Sequence, residues 1–212
     1  MQLYGRRSSI NVQKVLWCLG ELGFAQGADY QRIDAGLQFG VVDTPGYRAL
    51  NPNGLVPTLV DGEHIVWESN TILRYLASSR GAGQLLPSDA AGRSEVERWM
   101  DWQLATLWAT LRVAFLGLTR TPEAQRNYGV IRASFTESAR LLRIADERLQ
   151  TRDYLALDRF TLADLVVALA VHRWYELNDR FRAMLAAQPE MPALARWLDA
   201  QRARPAFAGS QG

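Results

Sequence analysis

The feature that most constrains the fold of this chain is a change of hydrophobic period between residues 80 and 93. Before it, strand-like and helical signals alternate. Leu3 and Tyr4 suggest a short strand, and Val12, Val15, Leu16, Leu19 and Leu22 recur at helical spacing, one face of a helix ending near Gly23. The run "ADYQRIDA" reads as a second strand. After a loop, "VPTLVDGEHIVWES" gives two β-rich runs around Asp61-Gly62, and "SNTILRYLASSR" returns to helix. The order is therefore β-α-β followed by β-β-α. The stretch "GAGQLLPSDAAG" is rich in small and turn-forming residues and marks a linker over 81–92. Every strong pattern beyond it is helical, including "SEVERWMDWQLATLWATLRVAFLGL", "TLADLVVALAVHRWYEL" and a last helix after Pro192. The expected fold class is α/β plus all-α.

With 212 residues, 48% of them hydrophobic, the chain can bury a substantial core. No apolar run reaches the length of a membrane span, and "MQLYGRRSSI" lacks the apolar core of an export signal. A cytoplasmic protein is expected. Cys18 is the single cysteine, which excludes an internal disulfide. The net charge is +2, and the arginines are interleaved with Asp and Glu, so no one-signed stripe for nucleic acid emerges. His64 and His172 are the only histidines, and neither sits in a cluster with metal-ligand spacing.

The stretch "RRSSINVQKVLW" places Ser8, Ser9 and Asn11 at the start of the first helix, together with Lys14, the only lysine of the chain. A hydroxyl there serves either as an N-cap or as part of a site. Glu68 and Ser69 open the next helix with the same ambiguity: a cap and a dipole-favoured acid, or a place for a ligand's ions. Thr161 and Asp164, with Phe160 before them, form an N-cap pair and staple and read as structural.

The combination "NPNGLVPTLVDGEHIVWESNTILRYL" after "YGRRSSINVQKVLW", followed by "RWMDW" and "TLADL", resembles the cytosolic glutathione transferases over essentially the whole chain. More narrowly, it is similar to the bacterial theta-like, serine-type members. The resemblance implies a thioredoxin-like glutathione-binding domain over 1–80, the linker over 81–92, an all-helical electrophile-binding domain over 93–212, and a homodimer. It implies glutathione as co-substrate, with no metal, and conjugation to small electrophiles, halide displacement included.

The resemblance assigns the activating hydroxyl to Ser9, with the Asn11 amide as second candidate where many relatives carry proline. Tyr4, near the tyrosine of other classes, is expected to pack against the first helix. A donor at a helix N-terminus stabilises thiolate. Lowering a thiol from about 8.5 by two units is worth roughly 2.7 kcal/mol and raises the thiolate fraction at pH 7 from about 3% to about 75%. Nucleophilicity falls about eightfold over the same shift, leaving a net gain of about threefold. Positioning of the electrophile must therefore supply much of the rate.

Val56-Pro57 is implied to be cis, turning the Val56 main chain toward the cysteinyl backbone of glutathione. Ser69 suits the glutamyl carboxylate and Glu68 its ammonium. Gln38 and Asp101 complete the implied glutathione contacts, Asp101 reaching the partner subunit's glutathione. Trp108, Arg112 and Phe115 fall on one helix face, either as an electrophile pocket or as a core stripe with Arg112 paired to a carboxylate.

Three departures matter. Gly54 stands where relatives often place a cation for the glycyl carboxylate. Ile10 follows the paired serines where maleylacetoacetate isomerases carry cysteine. No Cys-X-X-Cys is present. Two alternatives stay open: a glutathione-dependent disulfide oxidoreductase, which Asn11 allows, and a non-catalytic interaction module of the same fold. Joint retention of Ser9, Pro57, Glu68 and Ser69 argues against the module.

Overall fold

The structure is a computed structural model and describes residues 1–81 and 83–211. Ala82, within the expected linker, and Gly212 lie outside the described residues. The chain forms two compact units, one of Met1–Ala90 with the C-terminal residues from Arg202 onward, the other of Ala91–Gln201.

The first unit begins with β1 (Gln2–Tyr4), α1 (Ile10–Glu21) and β2 (Gln31–Ile33), as the period change implies. A 3-10 turn over Leu37–Phe39 and a short helix, α2 (Pro45–Leu50), follow. Then come β3 (Thr58–Asp61), β4 (His64–Trp67) and α3 (Ser69–Arg80). The sheet order is β2-β1-β3-β4, with β1 parallel to β2 and antiparallel to β3. In this register Leu3 pairs with Leu59 and Leu59 with Val66. All three are buried, while Ile65 and Trp67 on the other face are exposed.

Helix α1 is buried from Val12 through Leu19 because it packs against both α3 and α9 (Pro205–Ser210). Each apolar side chain fully buried there contributes roughly 1.5–3 kcal/mol. The expectation that residues 93–212 form one helical unit is corrected at its end, where α9 belongs to the first unit. The Phe207 ring meets Trp17 edge-on at 5.0 Å, and Arg204 forks onto Glu21 at 2.8 and 2.7 Å. Gly20 permits the approach: a Cβ there would lie 2.9 Å from that of Ala206. The Tyr4 ring meets Tyr47 edge-on, with ring centroids 5.7 Å apart.

The second unit is helical: α4 (Ala90–Asp101), α5 (Trp108–Thr119), α6 (Tyr128–Leu149), α7 (Leu162–Arg180) and α8 (Pro192–Arg202). A π-helical segment, Trp102–Leu107, divides what the sequence presents as one helix into α4 and α5. Ser134 joins α6 to α5 by donating to the Thr110 carbonyl at 2.7 Å and accepting from Ala114 N–H at 3.0 Å. Phe135 and Trp174 stack at 5.0 Å between α6 and α7. The Asp164 carboxylate caps α7, accepting from Leu155 N–H, Thr161 N–H, the Thr161 hydroxyl and Trp197 Nε1–H. Among the described residues no helix is long and apolar enough to cross a membrane.

Candidate functional site

At the start of α1, Ser9 is the N-cap by position, with extended backbone (φ −86°, ψ 121°) and a carbonyl that accepts from Val12 and Gln13 N–H at 2.9 Å. Its hydroxyl makes no capping hydrogen bond. The cap reading accounts for the main chain of Ser9 and leaves the side chain uncommitted.

At the start of α3, Glu68 is exposed and holds φ at +68°, the left-handed region that a residue with a Cβ adopts only at a cost. The next residue, Ser69, is 4% exposed, and its hydroxyl donates to Asn11 Oδ1 at 3.3 Å. Asn70 accepts at Oδ1 from Lys14 Nζ at 3.2 Å. Burial pulls the Lys14 ammonium down to about 7, against the opposing attraction of Glu68. The first N–H groups of α3 have no partner within the helix, so a cleft at this end favours an anion.

The third wall is the loop over 51–57. Buried Asn51 donates to the Leu55 carbonyl and to Thr58 Oγ1, each at 3.0 Å, and accepts from Asn53 N–H at 3.1 Å. The Tyr47 hydroxyl donates to the Leu55 carbonyl at 2.6 Å and lies 2.8 Å from Thr58 Oγ1. These bonds fix the loop while the N–H and C=O of Val56 pair with no group among the described residues. The Val56-Pro57 peptide is cis. Gly54 has φ +63°, and a Cβ there would lie 3.1 Å from the Val42 carbonyl and 3.2 Å from Arg48 Nη2. The loop thus brings a cation, Arg48, to the position where the sequence offers only glycine. Arg48 also pairs with Asp43 at 2.8 Å.

One cleft brings together five of the expected residues: Asn11, Val56, Pro57, Glu68 and Ser69. Asn51, Asn53 and Leu55 line it as well, unforeseen from sequence. The Asn-Pro-Asn-Gly run was the available signal, since Asn side chains bond their own loop backbone. Ser9 stands two residues before Asn11, and Gln38 is exposed in the 3-10 turn, outside the cleft lining.

The remaining expected residues belong to the second unit. Asp101 is exposed at the end of α4, and the Trp108 and Phe115 rings lie 5.6 Å apart on α5 with Arg112 exposed. The guanidinium over the Phe115 ring, at 5.6 Å, is that of Arg173 from α7. A larger hollow, about 580 Å³, lies among Trp174, Asn178, Arg182 and Met191 of this unit. It contains none of the expected site residues, five of which line the smaller cleft. Cys18 is fully buried and its thiol is pushed far up by that burial, which makes it a poor nucleophile. Among the described residues no group of three or more His, Cys, Asp or Glu side chains is placed to hold a metal ion.

Comparison with known proteins agrees with this fold. Residues 1–78 match the glutathione S-transferase N-terminal domain and residues 107–205 the glutathione S-transferase C-terminal domain. The chain is 38% identical to glutathione S-transferase GstB of Escherichia coli K12 over 206 residues, 96% of this chain and 94% of that protein. It is 32% identical over 177 residues to the disulfide-bond oxidoreductase YghU of the same organism, 79% of this chain and 58% of that one. The theta-class glutathione S-transferase of Xanthomonas axonopodis pv. citri, solved with glutathione bound, superposes with a TM-score of 0.88 at 42% identity, covering 100% of this chain and 97% of that one. With a sheet-and-helix unit, a helical unit, and likeness to GstB and to the Xanthomonas enzyme over nearly their full length, the chain belongs to the glutathione S-transferase family, among its bacterial theta-like members.

Proposed function

We propose that this glutathione transferase holds the tripeptide in the cleft of its first unit, with Ser9 as the donor to sulfur. The glutamyl carboxylate takes the Ser69 hydroxyl and the first N–H groups of α3, and Glu68 takes the glutamyl ammonium. The main-chain N–H and C=O of Val56 pair with the cysteinyl backbone, flanked by Pro57. Arg48, beside Gly54, and Gln38 form the glycyl end. When the Ser69 hydroxyl turns from Asn11 Oδ1 to the glutamyl carboxylate, the Asn11 amide is released and its Nδ2 serves as a second donor toward sulfur. The observation that carries this reading is the Ser9 hydroxyl, located at an α-helical N-terminus and unspent as a cap.

The thiolate then attacks an electrophilic carbon. A C–S bond forms, the leaving group departs as halide or as a stabilised anion with its bonding pair, and the thiol proton has already passed to solvent. The electrophile is assigned to Trp108, Phe115 and Arg112 of the helical unit. The enzyme is read as a cytoplasmic, detoxifying homodimer in which Asp101 reaches the partner subunit's glutathione.

The likeness to YghU keeps disulfide chemistry as the second reading. Calorimetry and kinetics separate the two. Reduced glutathione should bind at or below millimolar concentration, and an activated aryl halide should be consumed with stoichiometric release of halide. Absence of binding at that concentration would overturn the site. Glutathione-dependent reduction of a model disulfide without halide release would transfer the function to the second reading.

A further inference from the structure

Lys14 has no part in the roles assigned above, yet among the described residues it is the one fully buried cation. It lies one turn after Asn11 on α1, so the two side chains share a face. Each reaches a neighbouring residue of the first turn of α3: Lys14 Nζ donates to Asn70 Oδ1 at 3.2 Å, and Asn11 Oδ1 accepts from Ser69 at 3.3 Å. Two polar cross-links therefore tie the start of α1 to the start of α3, directly beside Glu68 with its left-handed backbone. For packing alone, an apolar side chain of the same length would fill this space without the cost of removing an ammonium from water. Burial depresses the Lys14 ammonium to about 7, and Glu68 is the charge that works against that depression.

We propose that Lys14 is a positioning residue for the γ-glutamyl end of glutathione: through Asn70 it holds the first turn of α3, with Ser69, in register with Asn11. The proposal rests on the reading that Ser69 and Glu68 receive the glutamyl group. It makes Lys14 a determinant of which thiol is accepted, acting through Asn70 and Ser69 without touching sulfur.

The test uses the full chain and two thiols, glutathione and cysteinylglycine, which lacks the glutamyl residue. Lys14→Met should raise Kd and KM for glutathione about tenfold or more, as expected for losing one partner of a buried charged hydrogen bond. Turnover at saturating glutathione should stay within about twofold, and kinetics with cysteinylglycine should be unchanged. A lysine that merely supports the fold would depress both thiols alike, and that result, or wild-type affinity for glutathione in Lys14→Met, overturns the proposal. If Lys14→Met does not fold, Asn70→Ala decides: a loss confined to glutathione supports the role, and wild-type affinity for glutathione overturns it. The underlying reading is checked in the wild type alone, since an enzyme that does not discriminate between the two thiols has no glutamyl site.

Discussion

At the scale of single residues, Lys14 carries a pH signature that can be read in stability as well as in binding. Its ammonium is depressed to about 7 in the folded state from an ordinary 10.5. Between those values the unfolded chain binds the proton more tightly, so stability rises with pH across that window and is lost as pH falls through about 7. Wild type should therefore gain on Lys14→Met by roughly 3 kcal/mol between pH 7 and 9.5, read as the difference between their urea unfolding curves. A difference that stays flat over that range would mean that Lys14 reaches water. The same scale shows what sequence could tell of the site. The helix starts at Ser9 and at Glu68-Ser69 were legible because residues at helix starts have few physical uses. Asn51 and Arg48 were not, because their roles exist only once the loop over 51–57 has closed and brought Asn51 to Leu55 and Thr58, and Arg48 to Gly54.

At the scale of elements, long periodic segments were readable and short ones were not. Helices α1 and α3 and the β3–β4 hairpin follow directly from apolar spacing. Helix α2 has six residues, too few for a period, although Thr44 caps it and Pro45 sits in its first turn. The π-helical Trp102–Leu107 contains no Gly or Pro to announce it, and α9 is defined by what it packs on. The cap of α7 makes a separable prediction. Asp164 is fully buried, and its carboxyl is raised to about 6 by that burial despite four hydrogen-bond donors. Asp164→Ala strands the Leu155 and Thr161 N–H groups and the Trp197 indole, and should cost about 2–4 kcal/mol of unfolding free energy. The folded fraction should keep its KM for glutathione, because Asp164 belongs to the helical unit. A shifted KM at full folding would show that the cap acts on the site.

At the scale of the whole molecule, the chain carries both domains of its family, over residues 1–78 and 107–205. Leu104 and Val113 are exposed at 40% and 45%, apolar surface that a homodimer would cover. Light scattering at micromolar concentration should return about 47.6 kDa, twice the 23.8 kDa of one chain, and a monomeric mass would remove the role given to Asp101. The central claim, that the start of α1 stabilises the thiolate, is tested most directly by titrating the ultraviolet absorbance of glutathione bound to wild type, Ser9→Ala and Asn11→Ala. The bound thiol should titrate about two units below its free value in wild type, and Ser9→Ala should return it toward about 8.5 with little change in affinity. An unshifted Ser9→Ala curve beside a shifted Asn11→Ala curve would transfer the role to Asn11, and a wild-type bound thiol that titrates with the free one would contradict the claim itself.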